Sequence, residues 1–170
     1  NHETLYLSFI KFLAKIIRIR LIKDFEYTLY RAKLSVQEKH RLRFDTQSFE
    51  KVLIEVEDKR FKTHIGVDPK SLARSVLSQS KIYRQKKGLL MSGGSTITMQ
   101  LCRTLFIPSN QKPITRKIIE LLLAFWLERQ FSKSEIISFY ITSVRFERSV
   151  NGIIKATQYF FPDKATKELT

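Results

Sequence analysis

The feature that most restricts what this chain can fold into is how rarely anything interrupts it. Five glycines and four prolines punctuate 170 residues, and no Val/Ile/Thr-rich alternation recurs at hairpin spacing, so long amphipathic helices are expected to dominate. With 43% hydrophobic residues, the chain is long enough for one domain with a real core and too short for two full ones. The expected class is mostly α.

The first segment shows the pattern plainly. In residues 5 to 22, LYLSFIKFLAKIIRIRLI, the polar positions Ser8, Lys11, Lys15 and Arg18 recur at steps of three or four, which stacks them along one helical stripe. The opposite face, with Phe9, Leu13, Ile16 and Ile17, is wide and apolar. Residues 1–23 are therefore expected to form an amphipathic helix in a membrane interface, with its cations near lipid phosphates. A core helix with one solvated edge is the alternative. The chain begins at Asn1 and has no run of about 18 uncharged apolar residues, so neither a complete signal peptide nor a full membrane span is expected. Such a chain reads as an excised or processed piece.

Charge narrows the partners. Lys and Arg number 31 against 16 Asp and Glu, a formal charge of +15, which calls for nucleic acid, anionic lipid or a phosphorylated substrate. No zinc motif, aromatic nucleic-acid signature or single basic recognition helix is present, and this argues against nucleic acid. The lone cysteine, Cys102, has no second cysteine with which to form a disulfide or a zinc site. Core filler is its expected role.

Along the chain, residues 24–46 are charged and mixed, and read as a connector with at most one short helix or strand. From Thr46 to about Asp58, Phe49, Val52, Leu53 and Val56 keep helical spacing, which sets Glu57 near the end of a helix beside its apolar stripe. Lys81, Arg84, Lys86 and Lys87 form a basic loop, and Ser78-Gln79-Ser80-Lys81 matches a Ser-x-x-Lys pattern by coincidence, with no companion Lys-Thr-Gly. Gly93-Gly94-Ser95-Thr96 puts two permissive residues before hydroxyl caps, so a tight turn should feed a helix whose free N–H groups favour an anion. Gln100 and Arg103 then share a face. Thr115 is expected to cap the next helix, with Ile119, Leu122, Leu123 and Trp126 inward and Arg116, Lys117 and Glu120 in its first two turns. Ser132 to Glu135 reads as a capping box, which gives Glu135 a structural explanation.

Two semi-buried glutamates, an anion cradle and the cations Arg103, Lys112, Arg116 and Lys117 fit chemistry on a phosphorylated substrate. The same residues carry a resemblance. Glu57-Asp58-Lys59-Arg60-Phe61 with His64, Gly66 and Asp68, then Gly93 to Leu101 with Arg103 and Phe106, then Arg116-Lys117-Ile118-Ile119-Glu120 with Ala124, Leu127-Glu128 and Ser132 to Ile136 resemble, in order, three signatures of the peptidoglycan glycosyltransferases. These are the monofunctional transglycosylases and the polymerase domains of bifunctional penicillin-binding proteins. The likeness covers about residues 45–170 and thins after Tyr140: Thr142 stands where asparagine is usual, Arg145-Phe146-Glu147 replaces an aromatic-Phe-Gly step, Phe161-Pro162 replaces a glycine-lysine, and Met99 replaces glutamine.

The resemblance implies a lysozyme-like α fold over 24–170, complete or cut short at its C-terminus, with a cleft for two copies of lipid II. It implies Glu57 as the base on the acceptor 4-hydroxyl, and Arg74, Arg103 and Lys112 on the leaving diphosphate. Asp58, Ser95, Thr96, Gln100, Arg116 and Lys117 would complete the substrate wall. Glu120 would orient the cations or assist the donor side, and an ion pair with Arg116 at i, i+4 is its other reading. No cofactor and no protein-held metal are expected, Mg²⁺ or Mn²⁺ at the diphosphate being the one candidate. The implied partners are lipid II, the growing glycan strand and the bacterial cytoplasmic membrane, with the domain on its extracytoplasmic face. A lysozyme-like glycan hydrolase is the competing enzyme, and a catalytically impaired scaffold that binds lipid II or membrane is the competing binder.

Overall fold

The computed structural model describes residues 2–78, 94–108, 113–147 and 150–160. They are mostly helical, as the scarcity of breakers predicts. In chain order they comprise α1 (His2–Ile16), α2 (Phe25–Arg41), α3 (Gln47–Glu57), α4 (Pro69–Ser78), α5 (Ile97–Phe106), α6 (Pro113–Gln130), α7 (Lys133–Ser143), β1 (Arg145–Glu147), β2 (Val150–Asn151) and α8 (Ile153–Phe160).

At the centre, α5 packs against α6 and α7, while α2 lies across α7 and α1 across α6. Three aromatic rings join the layers: Phe25 of α2 stacks on Phe106 of α5 with centroids 4.5 Å apart, and Trp126 of α6 meets both rings edge-on. Such pairs add about 0.5–1.5 kcal/mol each beyond the area they bury. Ile97, Met99, Leu101, Ile119, Leu123 and Leu127 fill the space around them. Cys102 is fully buried there, the core filler it was expected to be.

The helix α1 ends earlier than the apolar run does. Arg18 takes a left-handed conformation, φ 58°, and the Ile19 N–H turns back to the Ala14 carbonyl at 2.8 Å, a C-terminal cap that closes the helix before Ile19. Ile10 and Ala14 enter the common core, with Leu13 and Ile17 partly buried against it. Leu5, Phe9, Phe12 and Ile16 are exposed. The apolar surface of α1 is thus divided between a narrow seam on the core and a second stripe facing out.

The connector expected at 24–46 is instead the 17-residue helix α2. Asp24 caps its start, accepting from the Tyr27 N–H, and Phe25, Leu29, Ala32 and Val36 run at alternating steps of four and three into the core. That two-position seam suffices for a helix lying across a neighbour, and the charges around it hide it from a hydropathy reading. Lys39 ends the seam, buried, with its amine donating to Thr46 Oγ1 at 3.3 Å.

Other expectations need smaller corrections. α3 spans the predicted range, but only half of its predicted stripe is covered: Phe49 and Leu53 pack on the core, whereas Val52 and Val56 are 61% and 70% exposed. Glu57 is exposed with them, not semi-buried. α6 starts at Pro113, two residues before the predicted cap Thr115, because proline's fixed φ and missing N–H suit the first helical position. Ser132 and Glu135 form the reciprocal capping box at the start of α7. The short antiparallel β1–β2 pair was not anticipated, with Arg145 opposite Asn151 and Glu147 opposite Val150.

Candidate active site

The loop after α3 is built around Asp58. Its side chain is buried and accepts from the Ile97 N–H at 3.0 Å and from His64 Nε2 at 2.9 Å. A carboxylate on the first N–H of α5 satisfies an orphan donor and complements the helix dipole. Thr96 completes that terminus: its hydroxyl accepts from the Met99 N–H and donates to the Gly66 carbonyl at 2.6 Å. Gly66 has φ 87°, and a Cβ there would stand 2.8 Å from the backbone of Ala124 in α6, so only glycine lets the loop lie this close. Arg60 and Asp68 brace it from outside at 2.6 and 3.0 Å. Burial alone would raise the Asp68 carboxyl, but hydrogen bonds from Ser71, Arg60 and two backbone N–H groups bring it down to about 2. On α6, Glu128 accepts from Thr98 of α5 and from Lys133, whose amine lies over the Phe61 ring.

This scaffold sets Glu57 at the end of α3, facing solvent. Gln100 of α5 donates from Nε2 to Glu57 Oε2 at 3.0 Å, and Tyr140 of α7 donates to Gln100 Oε1 at 3.0 Å. The Tyr140 hydroxyl is pushed up to about 12, by burial first and by the Glu57 charge second, against the opposing pull of Arg103.

One turn along α5 from Gln100, Arg103 is exposed. Arg116 and Lys117 of α6 flank it in charge: burial lowers the Lys117 amine, Glu120 opposes that, and Arg103 and Arg116 lower it further. Beneath the pair, Glu120 is 0% exposed, with Arg116 Nε 2.9 Å from one oxygen and Lys117 Nζ 3.7 Å from the other. Neither carboxylate oxygen has a hydrogen bond of good geometry, so Glu120 serves the cations as a buried counter-charge. Lys117 also donates to Ser95 Oγ.

A cavity of about 1350 Å³ opens beside these groups, with Gln100, Arg103, Arg116 and Tyr140 in its wall. Thr28, Arg31 and Ser35 of α2 also line it, as do Arg145, Asn151 and Lys155. Of the expected site residues Gln100, Arg103 and Arg116 line this cavity; Glu57 joins it through Gln100, and Glu120, Lys117 and Ser95 join it through Arg116, none of these four being in the lining itself. Asp58 and Thr96 lie under this set, their polar atoms spent on the loop and the α5 terminus. Arg74 belongs to α4, of which only the backbone is described at that position, and Lys112, Gly93, the basic loop and residues 79–81 of the Ser-x-x-Lys segment lie outside the described residues. Among the described residues no three His, Cys, Asp or Glu side chains are grouped to hold a metal ion. Sequence reasoning missed Tyr140, Arg31 and Arg145. Arg31 was legible in principle, since it lies off the Phe25–Val36 seam.

Comparison with known proteins supplies the family. The family model described as Transglycosylase matches residues 29–170. Penicillin-binding protein 1A of Pseudomonas aeruginosa is 38% identical over 124 residues, 73% of this chain and 14% of that protein. Penicillin-binding protein 1F of Bacillus subtilis is 41% identical over 118 residues, 69% of the chain and 15% of that protein. Penicillin-binding protein 4 of Bacillus subtilis is 33% identical over 124 residues, 73% and 19%. The chain thus spans less than a fifth of each of these relatives. By the match over residues 29–170, which includes every signature read from the sequence, the chain belongs to the transglycosylase family.

Proposed function

We propose that the chain is a peptidoglycan glycosyltransferase that polymerises lipid II, with Glu57 as general base. The observation that carries the reading is the exposed Glu57 carboxylate, held by Gln100 on the same helix face that presents Arg103 to a cationic cavity. In this reading the cavity is the lysozyme-like cleft of the family. The acceptor's 4-hydroxyl gives its proton to Glu57 while its oxygen attacks the donor's anomeric carbon. The bond from that carbon to the diphosphate breaks, and the leaving group departs with the electron pair.

The departing diphosphate is the most strongly charged species in the reaction, and Arg103, Arg116 and Lys117 supply the counter-charge, each contact contributing about 1.5–3 kcal/mol. Arg74 and Lys112 are assigned to the same anion by the family resemblance. Glu120 holds Arg116 and Lys117 in place, and Ser95 fixes the Lys117 amine. Asp58 and Thr96 act at one remove, by tying the Glu57 loop to the start of α5. A glycan hydrolase acting on neutral glycosidic bonds has no use for this concentration of cations beside its base. No cofactor is invoked. The stripe Leu5, Phe9, Phe12 and Ile16, followed by Lys15, Arg18, Arg20 and Lys23, is assigned to the membrane interface where the lipid-linked substrate resides.

The test is Glu57→Gln, nearly isosteric but unable to take the proton. With labelled lipid II in detergent, formation of lysozyme-sensitive glycan strands should fall by about 10²–10⁴, the usual worth of a general base, while lipid II binding persists. Strand synthesis near the wild-type rate would overturn the mechanism. A wild-type chain that binds lipid II and never polymerises it would move the reading to an impaired scaffold, for which the departures at Thr142 and Arg145–Glu147 are the specific motive.

A further inference from the structure

We propose that Tyr140 is a positioning residue for Glu57, acting through the side-chain amide of Gln100. The inference rests on the reading of Glu57 as the base.

A glutamine side chain has two different ends, and turning it by 180° exchanges them. An ionised carboxylate only accepts hydrogen bonds, so the end of Gln100 facing Glu57 must be the NH₂ group for the contact to be attractive. Its carbonyl then points the other way, where it needs a donor. Tyr140 is that donor, 3.0 Å away, on the helix packed beside α5. If the amide turned over, its carbonyl would face the Glu57 carboxylate and its NH₂ the tyrosine oxygen, one attraction having become a repulsion. The carboxylate thus sets which end of Gln100 faces it, and the hydroxyl anchors the other end, holding the amide in the rotamer that donates to Glu57 Oε2.

Two further features suit this role. The hydroxyl, held at about 12 by burial and by the Glu57 charge, stays protonated and able to donate over the whole range in which a carboxylate base operates. Tyr140 is 5% exposed and its neighbours Ile136, Ile137, Phe139 and Ile141 are buried with it, so apolar packing that phenylalanine would keep holds this part of α7. Phenylalanine keeps the ring and removes only the donor.

The experiment measures kcat, KM and Tm for lipid II polymerisation by the whole chain and by Tyr140→Phe, Gln100→Ala, the double variant and Glu57→Gln. Loss of one hydrogen bond that orients the base should lower kcat about five- to tenfold in Tyr140→Phe, with KM and Tm unchanged. The double variant should be no slower than Gln100→Ala, because both changes remove one chain of contacts. Incorporating 4-aminophenylalanine at position 140, which donates from the same place, should restore kcat. The proposal is overturned by an unchanged kcat in Tyr140→Phe, by losses that multiply in the double variant, or by a rise in KM alone. Those results with an inactive Glu57→Gln remove only the tyrosine's role. A Glu57→Gln protein that polymerises normally removes the base itself, whatever Tyr140→Phe does.

Discussion

At the scale of single residues, three glutamates of one chemistry end in three environments, and environment decides what each does. Glu57 is exposed and bonded to Gln100, Glu120 is sealed under two cations, and Glu135 caps α7. Glu120→Gln should weaken binding of the lipid diphosphate and lower stability by about 1–3 kcal/mol, since it strands two cations that are 27% and 30% exposed. Calorimetry and lipid II titration would both register it. Glu135→Gln keeps the capping geometry, and its turnover should match wild type. Equal effects of the two changes would contradict the assignment. Asp68 makes a separate, acid-sensitive contribution. Its folded carboxyl is depressed from 3.8 to about 2, so the stability it adds is present above about pH 4 and is lost as pH falls through 2. At about 1.4 kcal/mol per unit the shift is worth roughly 2 kcal/mol, and screening around the partly exposed Arg60 reduces that to about 1. Urea midpoints of wild type and Asp68→Asn should converge between pH 4 and pH 2. Parallel curves would show that Asp68 is not the group responsible.

At the scale of elements, local rules wrote the boundaries that sequence reading found, and tertiary contact wrote the ones it missed. The capping box at Ser132, the hydroxyl cap at Thr96 and the span of α3 all follow from neighbours within four residues. The helix α2 did not declare itself, because its apolar seam is two positions wide and its charged surface outweighs it. Whether Val52 and Val56 are covered depends on what lies across from α3, which no spacing encodes. The same holds inside the site: Gln100 and Arg103 were legible as one helix face, but Tyr140 meets Gln100 from 40 residues away, and nothing local marks it. Asp58 and Thr96 were legible as polar, but their bonds to the α5 terminus and the Gly66 carbonyl were not, since residue type does not say on which partner a carboxylate or hydroxyl is spent. Gly66 tests the loop that these two residues hold. With φ at 87° and Ala124 backbone 2.8 Å from the missing Cβ, Gly66→Ala combines left-handed strain with a clash against an immovable helix. It should cost about 3 kcal/mol or more and, in the proposed mechanism, reduce polymerisation by displacing Glu57. A loss under about 0.5 kcal/mol in chemical denaturation would mean that the loop can retreat from α6.

At the scale of the molecule, the proposed function requires the site to meet a substrate whose tail lies in a bilayer. Among the described residues no helix is long and apolar enough to cross a membrane, so the proposed contact is along a surface. α1 supplies it with two faces of different duty. Ile10 and Ala14, at 0% and 1% exposure, are part of the core, whereas Leu5, Phe9, Phe12 and Ile16 recur at steps of four and three on the outside. Deleting α1 would confuse the two duties, because removing the seam should destabilise the fold along with any lipid contact. The informative change is Leu5→Ser, Phe9→Ser, Phe12→Ser and Ile16→Ser together, which leaves the seam intact. At about 25 cal/mol per Å² of apolar area, four half-exposed large side chains contribute several kcal/mol to partitioning, and each nearby Lys or Arg adds about 1 kcal/mol on an anionic surface. Wild-type protein should therefore float with vesicles containing phosphatidylglycerol and less with neutral ones, and the quadruple variant should stay at the bottom of the gradient with its Tm within a few degrees of wild type. Flotation undiminished by the four serines would remove α1 from the interface and leave the bilayer contact to another surface of this strongly basic chain.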